Sequence, residues 1–421
     1  MTDYLATSGN PVSGLTLQSG DTLTVEFGGI ATSNTVESGA YINLSRGGTA
    51  SDTIIDGGTE TVRGGATTVD TIVSSGGVVS NLSGMIQGGV ILDGGRETDN
   101  IGMVSGLTLA SGGLEIADST NESLSVLGTI IESGGALLVS GAFVSGTVLS
   151  SGGIIAVLPG SSVSGTVLDG GSVVSTGVLQ LLSSGLVTPG AVDTPASLGA
   201  GEMEYVLTGG VGTGTTLGSG AFETVYSGGQ VQDATVLSGG VLEVQSGGSA
   251  TTVTVSGGTF KDGGDVNGLT LQAGYAGLSG TVENFTFAGG NATVQNAVVT
   301  SGLITGSAVA GVDGGALSAV GVASGGRLDL FAGVQTAGLV ISTGGTLEDE
   351  SGTVSGATVL SGGFEYVFDG ATSVDTVIAG GSQVLEFGAV ASNAAVEAGG
   401  TQLVYSGSTA SGTTVFAGGT Q

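Results

Sequence analysis

The chain has 421 residues, of which 87 are glycine and four are proline, and it contains neither cysteine nor histidine. Glycine at that density without a glycine at every third position excludes collagen, and 39% hydrophobic residues excludes a disordered chain. Thirty-five acids against five bases give a net charge of −30, which makes nucleic acid and anionic membranes poor partners.

Read from the start, Met1 to Gly20 (MTDYLATSGNPVSGLTLQSG) has no basic stretch and no long apolar core, so it is not a Sec signal peptide. No run of about 18 apolar residues follows anywhere, so no membrane-inserting helix is predicted. Export is expected to use a signal outside this chain. Residues 1–11 are expected to cap the fold, because VSGLTLQSG from Val12 already belongs to a repeat. That repeat is marked by glycine doublets. Gly134-Gly135, Gly152-Gly153 and Gly170-Gly171 step by 18 residues, and Gly362-Gly363, Gly380-Gly381, Gly399-Gly400 and Gly418-Gly419 step by 18, 19 and 19. Between doublets a second pattern returns, as ASDTIIDGG from Ala50, VSGTVLDGG from Val163, ASNAAVEAGG from Ala391 and ASGTTVFAGG from Ala410.

Each unit reads as a turn, a short strand, a second turn and a second strand. Strands this short cannot bury a face alone, whereas stacking them on successive rungs pairs every backbone group. The spacing therefore predicts an all-β fold over residues 1–421: one elongated, right-handed parallel β-helix of 18–19-residue rungs, about 22 in number. Ala50, Ala391 and Ala410 are expected to face inward. Residues 177–203 lack a doublet and carry Pro189 and Pro195, so they are read as a loop or hairpin excursion, the alternative being a divide between two halves. The last rung opens with the same Gly-Gly-Thr-Gln as the one before and then ends at Gln421, which suggests an N-terminal piece of a longer protein.

The SGG turns, four- or five-residue strands and A-[ST]-x-x-x-V segments resemble the strand-loop-strand repeats of AIDA-type autotransporter passengers. The resemblance covers nearly all of the chain outside 177–203. It implies a secreted or surface-displayed β-helix acting in adhesion, self-association or biofilm formation, with itself and surface glycans as partners. It also implies O-heptosyltransferases as partners, modifying serines and some threonines at turns. The long signal peptide and C-terminal β-barrel of that family are absent from this sequence, and similar repeats occur in large secreted proteins without the barrel. The alternative from another class is a matrix filament assembling end to end through rung edges.

Ten serines directly precede a glycine doublet: Ser75, Ser111, Ser133, Ser151, Ser227, Ser238, Ser246, Ser256, Ser324 and Ser361. A hydroxyl there supports the turn backbone, and between small residues it is also open to a transferase. These are the candidate O-glycosylation sites. Asn-x-Ser/Thr triplets at Asn43, Asn81, Asn121, Asn284 and Asn291 are short enough to arise by chance in a chain this rich in Ser and Thr.

Catalysis is not predicted. Without histidine or cysteine there is no Ser-His or Cys-His nucleophile, and most zinc sites are excluded. The lone lysine, Lys261, stands in TFKDGGD without Walker spacing, and GGVGTGT at Gly209 has threonine where a calcium nonapeptide has aspartate. Carboxylates as used on polysaccharide-cleaving β-helices are weighed at LEDES (Glu348, Asp349, Glu350), but neighbours on a strand point to opposite faces, so a solvated acidic turn is the reading. Tyr226, Tyr366 and Tyr405 are read as packing residues, with a glycan-binding face as the alternative. No cofactor and no metal site are predicted.

Overall fold

The computed structural model describes every residue except 120–122, 184 and 194, with the backbone alone at 187 and 189. The triplet at Asn121 lies outside the described residues. Among these residues all regular structure is β, and the chain winds as a parallel β-solenoid of about 23 turns with rungs of about 18 residues. No helix is long and apolar enough to cross a membrane. The contacts define two compact units, one of residues 1–175 with 181–187 and one of 176–180 with 188–421.

In the first unit a rung has three faces, shown by Thr22–Val25, Ile30–Thr32 and Thr35–Glu37. Alternation points Leu23, Val25, Ala31 and Val36 inward, all fully buried, while threonines face outward. The next rung repeats this in register, with Thr22 opposite Tyr41, Leu23 opposite Ile42 and Val25 opposite Leu44. Three parallel sheets of ten, nine and nine strands result. Asp3–Ala6, in the segment expected to cap the fold, already pairs with Thr22–Val25 as part of the first sheet.

The expected second strand is in fact two. A single left-handed residue cuts it, at Ser33 (φ 55°), Asp52 (φ 50°) and Asp70 (φ 52°) on successive rungs, and sends its halves to different faces. Short polar side chains and glycine tolerate this conformation, so one residue suffices for a corner. The glycine doublets make the two wider turns, and their members differ in role. Gly134 has φ +83°, whereas a Cβ on Gly135 would fall 2.3 Å from the Leu109 carbonyl oxygen one rung away. The first glycine supplies backbone freedom and the second supplies closeness. Turn amides also form a ladder, Gly76 donating to Gly94, Gly94 to Gly112, Gly112 to Gly134 and Gly134 to Gly152.

The second unit keeps this plan with one variation. Ser249–Asp262 and Asp265–Leu278 run unbroken for 14 residues each, straight through what are corners elsewhere. Ser249 pairs with Asp265 and Asp265 with Thr281, so these rungs are shortened to 16 residues, that is, 265 − 249 and 281 − 265. Phe260, Phe285 and Phe287 fill the core there. Earlier in the unit, Val178–Leu182 pairs with Met203–Val206, and Ser197–Leu198 with Thr216–Leu217. The excursion expected over 177–203 is accordingly proposed for 183–190 alone. Ala50 and Ala391 are buried as expected, and Ala410 is half-buried.

Candidate functional site

Nine of the ten candidate serines occupy the first position of a two-residue turn and are exposed. Ser75, Ser111, Ser133, Ser151, Ser238, Ser324 and Ser361 share the turn from the third face to the first, while Ser227 and Ser246 mark the turn from the first face to the second. Beside each hydroxyl in the column lies the left-handed glycine of the following rung. A Cβ there would approach to 2.8 Å from Ser111 Oγ at Gly134 and 2.7 Å from Ser133 Oγ at Gly152. Glycine thus leaves the hydroxyl an open flank. Ser256 differs, because it lies within the long strand Ser249–Asp262, is half-buried, and donates to Gln272 Oε1 at 2.8 Å. Three equivalent serines escape the doublet pattern: Ser19, Ser38 and Ser219 hold the same turn position, with Asp21, Ala40 or Ala221 replacing the second glycine. Turn position, and not the doublet, is the shared feature.

The outer faces carry the aromatic candidates. Tyr366 stands between Phe364 and Phe368 with ring centroids 6.3 Å apart on each side. Tyr405 is 54% exposed. In LEDES the alternation holds: Glu348 points out and pairs with Arg327 at 2.8 Å, while Asp349 points in. Asp349 is no solvated turn residue. It is fully buried and accepts the Gly352 amide at 2.7 Å, closing the turn from inside. Asn81 does the same for Gly84 at 2.7 Å, and its burial removes it as a glycan acceptor.

The interior holds a second group of polar residues that composition does not reveal. Along the first face, the second residue of each strand points inward, and this column includes Glu60, Glu97, Glu115, Glu204, Glu223 and Glu365, all at most 1% exposed. Some are clamped by hydroxyls from the other two faces of their own rung. Ser373 Oγ donates to Glu365 Oε1 at 2.9 Å and lies 2.7 Å from Thr376 Oγ1. Gln383 Nε2 donates to Glu365 Oε2 at 2.9 Å, and Gln402 Nε2 to Gln383 Oε1 at 2.7 Å. Glu204 receives Gln180 Nε2 at 2.7 Å and Thr215 Oγ1 at 3.3 Å. Thr68 and Thr71 hold the corresponding positions against Glu60. Burial pushes all three carboxyls up to about 7, and the hydroxyl and amide donors partly offset it.

Glu97, Asp99 and Glu115 have no such clamp. The positions facing Glu97 hold Val104 and Leu107. Burial, reinforced by the neighbouring acids, drives Glu97 and Glu115 well above the usual carboxylate range and Asp99 to about 7. Glu223 is raised in the same way, by burial and then by Glu204.

Fold and surface together define a three-faced parallel β-solenoid with columns of exposed turn serines and an acidic interior column. No family model matches the chain, and no curated protein matches it. Among solved structures it is similar to one described as the crystal structure of the TibC-catalysed, hyper-glycosylated fragment 55–350 of TibA. The identity is 21%, over 97% of this chain and 98% of that chain, with a TM-score of 0.17. At that score the likeness says nothing of this chain's activity.

Proposed function

We propose that this chain is a passenger-type β-helical module that works outside the cell in adhesion or self-association, with its turn serines as acceptors of O-linked sugar. The observation that carries this reading is the serine column: nine hydroxyls exposed at equivalent turns, each next to a glycine that leaves one flank open. The resemblance of the repeats to AIDA-type passengers supports it. Hyper-glycosylation is a property of the TibA fragment, and here the same class of modification is proposed from this chain's own turns. Surface glycans and further copies of the chain are the proposed partners. With a net charge of −30, copies lying side by side repel, and salt screens that repulsion within about 10 Å at 0.1 M.

Glycopeptide mass spectrometry of protein from its native host tests the modification. Hexose- or heptose-sized additions are expected on Ser75, Ser111 and their equivalents, with Ser19, Ser38 and Ser219 included and Ser256 left bare. A mass equal to the unmodified chain rejects the glycoprotein reading. Sedimentation across a salt series tests association. Larger species are expected as salt rises, and a monomer throughout counts against adhesion by self-association.

A further inference from the structure

We propose that Glu97, Asp99 and Glu115 hold a calcium ion inside the first unit. Their ligand oxygens all lie within 4.8 Å of one another. Calcium takes oxygen ligands at about 2.3–2.6 Å, so oxygens on its coordination sphere are at most about 4.6–5.2 Å apart. The three carboxylates fit that sphere. The register builds the cluster from two rungs: Glu97 is opposite Glu115, and Asp99 shares a face with Glu97 two residues along the strand. All three are at most 1% exposed.

Two further observations separate this cluster from an ordinary buried acid. First, partners are missing where the fold provides them elsewhere. Glu97 Oε1, both oxygens of Asp99 and both of Glu115 have no hydrogen-bond partner, whereas Glu365 on the same column is bonded through both oxygens. Asp99 occupies the strand position from which Asp349 and Asn81 each accept the amide three residues ahead. The corresponding Gly102 amide instead donates to the Ser123 carbonyl, leaving Asp99 free to face its acidic neighbours. Second, Asn81 is fully buried directly opposite Asp99 in the preceding rung, and its Nδ2 is unpartnered. It is a polar side chain brought to the cluster with no bond of its own to explain it. An isolated buried carboxylate is costly, and three together require neutralisation. With no histidine or cysteine in the chain, the donor set is all oxygen and suits a hard cation over zinc. The sequence alone predicted no metal here, because only strand register brings residues 97, 99 and 115 together.

The site is enclosed by stacked strands, so loading is expected during folding. The full chain is unfolded and refolded with excess calcium chloride or with EDTA, then dialysed against magnesium-containing buffer to strip weak surface sites. Metal content and thermal unfolding are then read. About one retained calcium per chain is expected, with a midpoint several degrees above that of the EDTA sample. Glu97→Gln with Glu115→Gln, and separately Asp99→Asn, are expected to lose both effects, while Glu365→Gln keeps them. Metal content of protein purified without chelator or denaturation gives the same reading should refolding fail. Wild type that retains no calcium by either route overturns the proposal, and so does calcium kept stoichiometrically by the double variant. In the first case, protons neutralise the cluster.

Discussion

Glu365 and Glu97 occupy the same inward column of the same face, yet one is satisfied and the other is not. Around Glu365 the rung supplies Ser373 and Thr376, and the rung below supplies Gln383, so both carboxyl oxygens receive a donor. Around Glu97 the rung supplies Val104 and Leu107, and the rung below supplies Glu115. Solenoid geometry is indifferent to the distinction, since the backbone ladder is the same in both places. What differs is the chemistry presented eight and eleven residues after the acid, where Glu60, Glu204 and Glu365 find at least one hydroxyl. In a stacked fold a polar core residue is therefore decided by its neighbours in the column and around the rung.

The comparison is broken most strongly by pH. Interior carboxyls that titrate near 4.5 when unfolded are raised to about 7 at Glu60, Glu204 and Glu365, and further at Glu97, Glu115 and Glu223. The folded state therefore holds these protons more tightly. Their stabilising contribution is complete below 4.5 and is lost as pH rises through 7. In EDTA, the unfolding midpoint at pH 5 is expected to exceed that at pH 8 by about 5 °C or more. A midpoint that rises with pH means the interior acids are ionised and satisfied. Next in size, Glu365→Leu leaves Ser373 and Gln383 without their acceptor and is expected to cost about 1–3 kcal/mol in denaturant unfolding. Glu97→Leu in EDTA removes an acid with nothing bonded to it, and is expected to be neutral or stabilising by about 1 kcal/mol. Equal losses in the two leucine variants would erase the difference between the regions. Smallest of all, Ser111→Ala touches only an exposed turn and is expected within about 0.5 kcal/mol of wild type, while removing one modified peptide from the glycopeptide map.

Much of this architecture was legible in the sequence. The 18–19-residue step of the doublets, and the valines and alanines alternating with threonine, were enough to give parallel rungs. Corners such as Asp52 and Asp70 were not, since an aspartate between β-type residues gives no local sign that φ will turn positive. The 14-residue strands after Ser249 were equally hidden, because SGG at Ser256 looks like every other turn and only its packing shows that the chain runs on. Turn serines were visible wherever a doublet followed them. Ser19, Ser38 and Ser219 needed the structure to be recognised. The interior acids were invisible for a different reason. Period-two alternation says which residues face inward, but Glu97 and Glu115 become neighbours only through a register spanning 18 residues, that is, 115 − 97.

The amide ladder through the turns has a consequence for how such a chain can change length. Because Gly76, Gly94, Gly112 and Gly134 each bond to the next turn in line, corners are locked to one another as firmly as strands are. A gain or loss of one residue within a rung puts every later column out of phase, whereas excising a complete rung restores each partner to an equivalent one. Length is thus quantised in this unit, and whole-rung deletion or duplication is the mutation it accommodates most readily. The cut that would do harm is one between Glu97 and Glu115, where consecutive rungs are not interchangeable.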